Sequence, residues 1–199
     1  MLRRSKARRA RIRGPAEATA LISLARYAAL LEPRDLRLSF ATSVLGRLPI
    51  GITGLAILLL VQASAGSFAL GGLASGSYVA GLAALAPALG RLIDRFGPRP
   101  ILLCCAIAFP AALVGLALAV RGGAPGATLF ALSATAGAAF PPITVCMRTY
   151  LKRRFADDAQ LSAAYSLESV LIELIFIVGP VFVAVFVAYA SPASAVLFA

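Results

Sequence analysis

Five long apolar stretches, separated by short polar turns, constrain this chain more than any other feature of its sequence. They cover residues 39–62, 68–90, 100–120, 127–147 and 164–189. Each is close to the roughly 20 residues that an α-helix needs to cross the hydrocarbon core of a bilayer. A sixth apolar stretch runs from 193 to 199 and is too short to cross. The sequence therefore predicts an all-α integral membrane bundle over residues 36–199, with five complete spans and the start of a sixth.

The composition also indicates lipid as the solvent of the folded chain. Hydrophobic residues make up 60% of the sequence, charged residues make up 14%, and the mean hydropathy is +0.90. A typical soluble domain is about half apolar and about a quarter charged. Ala63-Ser64-Ala65 resembles a signal-peptidase site, which would make the first stretch a signal sequence. That stretch is longer and further from the N-terminus than signal peptides are, so a membrane span is the favoured interpretation.

The formal net charge of +11 is concentrated at the N-terminus. Seven basic residues lie there: Arg3, Arg4, Lys6, Arg8, Arg9, Arg11 and Arg13. No aromatic residue separates them, which favours contact with anionic lipid headgroups over RNA binding. Arg26 and Glu32 make residues 16–33 too polar to span, so a short interfacial helix is expected there. Residues 1–35 are thus predicted to form a basic cytoplasmic tail that contacts membrane lipid and no nucleic acid.

The basic residues of the turns predict the orientation. They cluster in 91–99 and 148–154, whereas the alternate loops carry only Arg121. Cytoplasmic loops of membrane proteins are enriched in Lys and Arg. We therefore expect a multi-pass protein of the inner (plasma) membrane with a cytoplasmic N-terminus.

The turn between the second and third stretches carries the most specific motif. Its sequence, GRLIDRFGPRP, sets charged residues between two glycines, and the motif positions are Gly90, Asp94, Arg95, Gly97 and Arg99. This spacing resembles the cytoplasmic loop between the second and third helices of the major facilitator superfamily. The resemblance implies that Asp94 acts in a conformational latch, supported by Arg95 and Arg99. The alternative is a solvated loop whose arginines contact lipid phosphates.

The resemblance covers residue 36 to the end of the chain and implies the N-terminal six-helix half of a transporter. Such a protein moves a small solute by alternating access between two halves. We therefore expect this chain to be a truncated half, which needs the missing second half or a copy of itself to transport. Efflux of a drug or metabolite is the first expectation. Uptake of a small nutrient and a nontransporting membrane scaffold or assembly subunit are the alternatives.

Proton coupling is an expectation from the family that the motifs of the fourth and fifth stretches do not support. Members of the superfamily that exchange protons often carry an arginine in the fourth helix, where this chain has Ala131. Of their glycine-rich fifth-helix motif, only Gly179-Pro180 is present. The polar residues expected near a cavity slightly favour amphipathic solutes over sugars; they are Thr53, Gln62, Ser133 and Thr135.

Three charged residues fall inside the predicted spans: Arg47, Glu168 and Glu173. Charge within a span is costly and is therefore usually functional or paired. Glu168 and Glu173 differ by about 140° around a helix, so they do not form a shared carboxylate pair. Arg47 and Glu173 lie at similar depths, and an ion pair between them is one hypothesis. Separate snorkelling of both side chains to the cytoplasmic interface is the other.

Proline and glycine are expected to shape the bundle in two ways. Helix breaks, which line cavities in many transporters, are expected at Pro49, Pro141, Pro142, Gly179 and Pro180. In the second stretch, Gly72 and Gly76 begin a small-xxx-small pattern that Ala80 and Ala84 continue. This pattern predicts close packing against a neighbouring helix.

No cofactor, metal site or enzymatic activity is expected. The sequence contains no His, and Cys104, Cys105 and Cys146 all lie in apolar stretches. A disulfide framework and a typical zinc site are therefore not predicted. Walker and Ser-His-Asp patterns are likewise absent from the sequence.

Overall fold

A computed structural model describes residues 30–199. The basic tail and most of the expected interfacial helix lie outside these described residues. Seven helices and no strand occur in the described part of the chain. They are α1 (Arg34–Ala65), α2 (Phe68–Phe96), α3 (Pro98–Arg121), α4 (Gly126–Ala138), α5 (Ile143–Arg154), α6 (Asp158–Tyr189) and α7 (Pro192–Phe198).

Five segments of this bundle are long and apolar enough to cross a membrane. They are α1, α2, α3, the α4–α5 pair taken together, and α6. This confirms the predicted all-α membrane fold. Most helices extend beyond the predicted apolar stretches, because polar residues next to those stretches are also helical. Thus α6 begins at Asp158, where the Asp157 carboxylate accepts a hydrogen bond from the backbone N–H of Gln160 at 3.0 Å and caps the helix.

α1 lies at the centre of the bundle, where it contacts α2, α3, α5, α6 and α7. The larger apolar core includes Ile52, Ile57 and Val61 of α1. A smaller apolar cluster joins the start of α1, the end of α5 and the start of α6. Arg154 also approaches Asp35 there, with Nε 3.7 Å from Oδ2. We call this end of the bundle the basic end.

Glycines let helix backbones touch at two crossings. A Cβ added to Gly179 of α6 would lie 2.5 Å from the carbonyl oxygen of Gly51 in α1, so no side chain fits there. Gly81 of α2 lies in the same way against the backbone of Ala134 in α4. Small residues permit such contacts between membrane helices.

The small-xxx-small prediction for α2 is wrong about the face that packs. Gly72 and Gly76 are exposed, and a Cβ added to either would meet no atom within 4 Å; Ala80 and Ala84 are also exposed. Instead, Gly71 lies against the carbonyl oxygen of Leu58. One residue is a rotation of about 100° on a helix, which moves the predicted stripe off the buried face.

Only one of the expected helix breaks is present in the described residues. Pro141 and Pro142 lie between α4 and α5, where two consecutive residues without an N–H end the hydrogen-bond pattern. The expectation for Pro49, Gly179 and Pro180 is wrong, because α1 and α6 continue through these positions. A membrane bundle tolerates the single backbone hydrogen bond that such a proline removes.

Candidate functional site

A buried ion pair connects the two longest helices of the bundle. Arg47 Nη2 of α1 donates to Glu168 Oε1 of α6 at 2.6 Å, and the two side chains are 4% and 0% exposed. Arg47 lies about 20 Å along α1 from its start, and Glu168 about 15 Å along α6. Both groups therefore lie well inside spans.

The hypothesis that Arg47 pairs with Glu173 is wrong, and so is separate snorkelling of Arg47. Glu168 shares the buried face of α6 with Ala164 and Ile175, whereas Glu173 is exposed. Glu173 lies about 180° around the helix from Ala164, so it cannot reach α1. The depth of the two charges was similar, but the rotational position of α6 decides which carboxylate meets Arg47.

A second arginine completes the network. Arg148 Nε of α5 donates to Glu168 Oε2 at 3.2 Å, so each carboxylate oxygen has its own guanidinium. The Arg148 side chain is 54% exposed, and its guanidinium lies 5.8 Å from the centre of the Tyr165 ring. The Tyr165 hydroxyl donates to the Arg148 carbonyl oxygen at 3.4 Å. Sequence reasoning used Arg148 only for orientation. Arg148 lies one turn before the Lys152-Arg153-Arg154 cluster, and this position was the sequence signal that it lies deeper in the bundle than those three residues.

The network leaves some polar groups without partners. Arg47 Nε and the Ser43 hydroxyl, one turn apart on α1, are buried and have no hydrogen-bond partner among the described residues. A buried polar group without a partner costs free energy, so such groups often mark a position for water or a ligand.

Ser43 lines a cavity between α1 and α5. The cavity has a volume of about 320 Å³ and is lined by Ser39, Thr42, Ser43, Ile143, Cys146, Met147 and Tyr150. The break at Pro141-Pro142 starts α5 beside α1, where Gly46 leaves room for the Ile143 side chain. The result is a hydroxyl-lined space near the basic end, one helical turn from the Arg47–Glu168 pair.

Three more hydroxyls are buried deeper in the bundle. Thr53 of α1, Tyr78 of α2 and Ser133 of α4 are almost fully enclosed. None of the three oxygens has a hydrogen-bond partner in the part of the chain that is described. Two of the polar residues expected near a cavity, Thr53 and Ser133, are thus buried between helices instead.

Comparison with known protein families identifies the family of this bundle. The Major Facilitator Superfamily model matches residues 39–199, which include the whole charge network. The chain belongs to the major facilitator superfamily. No curated protein and no solved structure matches it. Members of this family are transporters, so the chain is a multi-pass membrane protein of the transporter class.

The 90–100 turn of this major facilitator chain lies at the basic end, between α2 and α3. Gly97 has φ 83°, a left-handed conformation that favours glycine, and its N–H donates to the Ile93 carbonyl at 2.8 Å. Asp94, Arg95 and Arg99 are exposed, and the structure gives Asp94 no ion pair with any described residue. The latch role of Asp94 therefore stays a prediction that concerns contacts outside this bundle.

Gly90 and the three cysteines are the remaining residues named from the sequence. A Cβ at Gly90 would meet nothing within 4 Å, so the residue makes no close helix contact in this bundle. The three cysteines are free thiols: Cys104 is exposed, Cys105 is buried and Cys146 borders the α1–α5 cavity. No group of three potential metal ligands occurs within residues 30–199.

Proposed function

We propose that this chain forms one bundle of a secondary transporter that exports a small organic solute by alternating access. One observation carries the proposal: two arginines share a fully buried carboxylate inside the predicted spans. Charges at this depth are costly and mark solute or ion pathways in membrane proteins. In transporters of this kind the solute site lies at the midplane between two bundles.

The two arginines are suited to different roles. The Arg47–Glu168 pair is enclosed, so its separation would leave two unpaired charges in a low-dielectric interior. Arg148 is half-exposed and holds Glu168 by one longer hydrogen bond. Arg148 is therefore the group that releases Glu168 to water as the bundles rock, while Arg47 keeps the carboxylate in place.

The proposed direction rests on the position of the α1–α5 cavity. Its lining residues belong to the start of α1 and to α5, near the basic end. The positive-inside rule favours the cytoplasm for this end. A cavity that opens there admits solute from the cytoplasm, which suits export. The unpartnered Ser43 hydroxyl would then hydrogen-bond the entering solute.

Growth protection tests the proposal. The chain is expressed in cells that lack efflux pumps, either alone or as a tandem fusion of two copies. The cells are then exposed to a panel of toxic amphiphiles. We expect protection against at least one compound, and loss of that protection in Arg148→Gln at equal membrane abundance. Leu118→Gln, a change at an exposed α3 position, is the matched control and should protect like the wild type. A stably inserted chain that protects against nothing and gives no flux in vesicles would instead support the nontransporting scaffold.

A further inference from the structure

One exposed face of α6 carries a regular row of polar residues. Asp158, Ser162, Ser166, Ser169 and Glu173 follow one another at intervals of four, four, three and four residues, and all five are exposed. These intervals keep the side chains within one narrow stripe of a helix. We call this row the α6 polar stripe. Beyond Glu173 the exposed positions of α6 are apolar, including Ile177 and Val181.

Two of the three hydroxyls of the α6 polar stripe, those of Ser166 and Ser169, present acceptors rather than donors. Ser166 Oγ donates to the Ser162 carbonyl at 2.9 Å, and Ser169 Oγ donates to the Tyr165 carbonyl at 3.0 Å. A hydroxyl has one proton and two lone pairs. Because both protons are used inside the helix, the lone pairs remain for a ligand. With Asp158 and Glu173 at its two ends, the stripe is a series of acceptors.

Glu173 stands at the middle of the 32-residue helix α6. It is about 22 Å along the axis from Asp158. It faces away from Arg47 and forms no ion pair with any residue of 30–199. A carboxylate at mid-span is too costly to face lipid chains, so this side of α6 meets water or a ligand.

An open, shallow depression lies along the first three turns of the stripe. It has a volume of about 370 Å³ and is lined by Asp158, Leu161, Ser162, Tyr165, Ser166 and Ser169, all of α6. Glu173 lies one turn beyond its last lining residue. Leu161 and Tyr165 add apolar and aromatic surface along one edge. Arg148 borders this edge with its guanidinium beside the Tyr165 ring and its Nε on Glu168.

We propose that the α6 polar stripe binds an organic ammonium ion, with Glu173 as the anchoring group, and that the solute is therefore a cationic amphiphile. This inference rests on the proposed transport function. An ammonium group carries three donors and no acceptor, which matches a carboxylate with a serine acceptor one turn away. The acceptors follow one another at about 4.5–6 Å along the helix axis, which allows the cation to pass from acceptor to acceptor between Asp158 and Glu173. The apolar part of the ligand packs on Leu161 and Tyr165.

Equilibrium dialysis with the full chain in lipid nanodiscs tests the stripe. The probes are monodansylcadaverine, which carries a primary ammonium group, and its neutral N-acetyl derivative. We expect the wild type to bind the cation about tenfold or more tightly than the neutral probe, as a charge-assisted hydrogen bond provides. Glu173→Gln should remove this preference, and Ser169→Ala should weaken it by a few-fold. Leu174→Gln, at the same depth but on another exposed face, is the matched control and should keep the preference.

Other outcomes separate the inference from the proposed function. Equal binding of both probes by the wild type, or an unchanged preference in Glu173→Gln, would contradict the inference. Transport of neutral or anionic solutes would contradict the inference and leave the proposed function intact. If Glu173→Gln dissociates an oligomer in light scattering and leaves cation affinity unchanged, a Lys or Arg of a second bundle is the true partner. Conversely, cation-selective binding in a chain that transports no solute would overturn the proposed function and support the binding site.

Discussion

Gly179 of α6 lies directly against the backbone of Gly51 in α1, with no space for a Cβ between them. Gly51 is one turn after Arg47, and Gly179 lies on the same face of α6 as Glu168. The glycine crossing therefore holds α1 and α6 together one turn beyond Arg47 on α1 and about three turns beyond Glu168 on α6. Close packing and the charge network depend on each other in this bundle.

Valine at the glycine crossing should destabilise the fold. A Cβ at Gly51 would lie 2.5 Å from the Ile175 carbonyl oxygen, so Gly51→Val must push α6 away. Overpacking of this kind costs about 1–3 kcal/mol and should lower the thermal midpoint of the detergent-solubilised protein. Gly72→Val is the matched control, because a Cβ at Gly72 meets nothing within 4 Å. Equal midpoints for the two variants would contradict the crossing.

Removal of Arg47 should be more costly than removal of Glu173. Arg47→Met leaves Glu168 fully buried with Arg148 alone, and loss of one partner of a buried pair costs about 3–5 kcal/mol. Glu173→Gln changes an exposed side chain and should leave the thermal midpoint near that of the wild type. The swap Arg47→Glu with Glu168→Arg should recover part of the stability that each single change loses. A swap no more stable than either single variant would count against the pair.

Arg148 should separate stability from transport. Its side chain is half-exposed, so solvent screens its attraction to Glu168, and Arg148→Gln should cost only about 1 kcal/mol. If the release of Glu168 by Arg148 is a step of transport, the same variant should lose most solute flux in vesicles. Arg121→Gln, at the opposite end of the bundle, is the control and should alter neither. A variant that loses stability and flux in proportion would show that Arg148 is structural.

The sequence predicted what depends on one segment at a time. Span length and apolar composition were sufficient for the five spans, because a bilayer imposes a fixed thickness on each helix. The motif residues of the 90–100 turn were likewise recognisable from local spacing. The prediction that failed depended on a neighbouring helix: depth alone matched Arg47 with Glu173, and only the packing of α6 on α1 shows that Glu168 is the partner.

The glycines and prolines show the same limit. Gly71 and Gly72 are adjacent in sequence, yet one touches Leu58 and the other meets nothing. Pro49 lies inside a continuous helix, whereas Pro141 and Pro142 together end one. These outcomes depend on which face a neighbour covers and on how many backbone donors are lost in succession. The spacing of the α6 polar stripe can be read from the sequence, but its exposure on one face of the bundle required the packed helices.

Cys146 offers a direct test of the α1–α5 cavity and of the proposed orientation. It borders the cavity near the basic end, whereas Cys105 is buried in α3. In a Cys104→Ser/Cys105→Ser chain, a membrane-impermeant thiol reagent should therefore label Cys146 in inside-out vesicles and leave it unlabelled in right-side-out vesicles. Thr42→Trp, which fills the cavity, should slow the labelling, and Leu38→Trp, at an exposed position one turn away on α1, should not. Labelling in right-side-out vesicles alone would reverse the proposed orientation. Labelling that Thr42→Trp leaves unchanged would show that the reagent reaches Cys146 by a route other than this cavity.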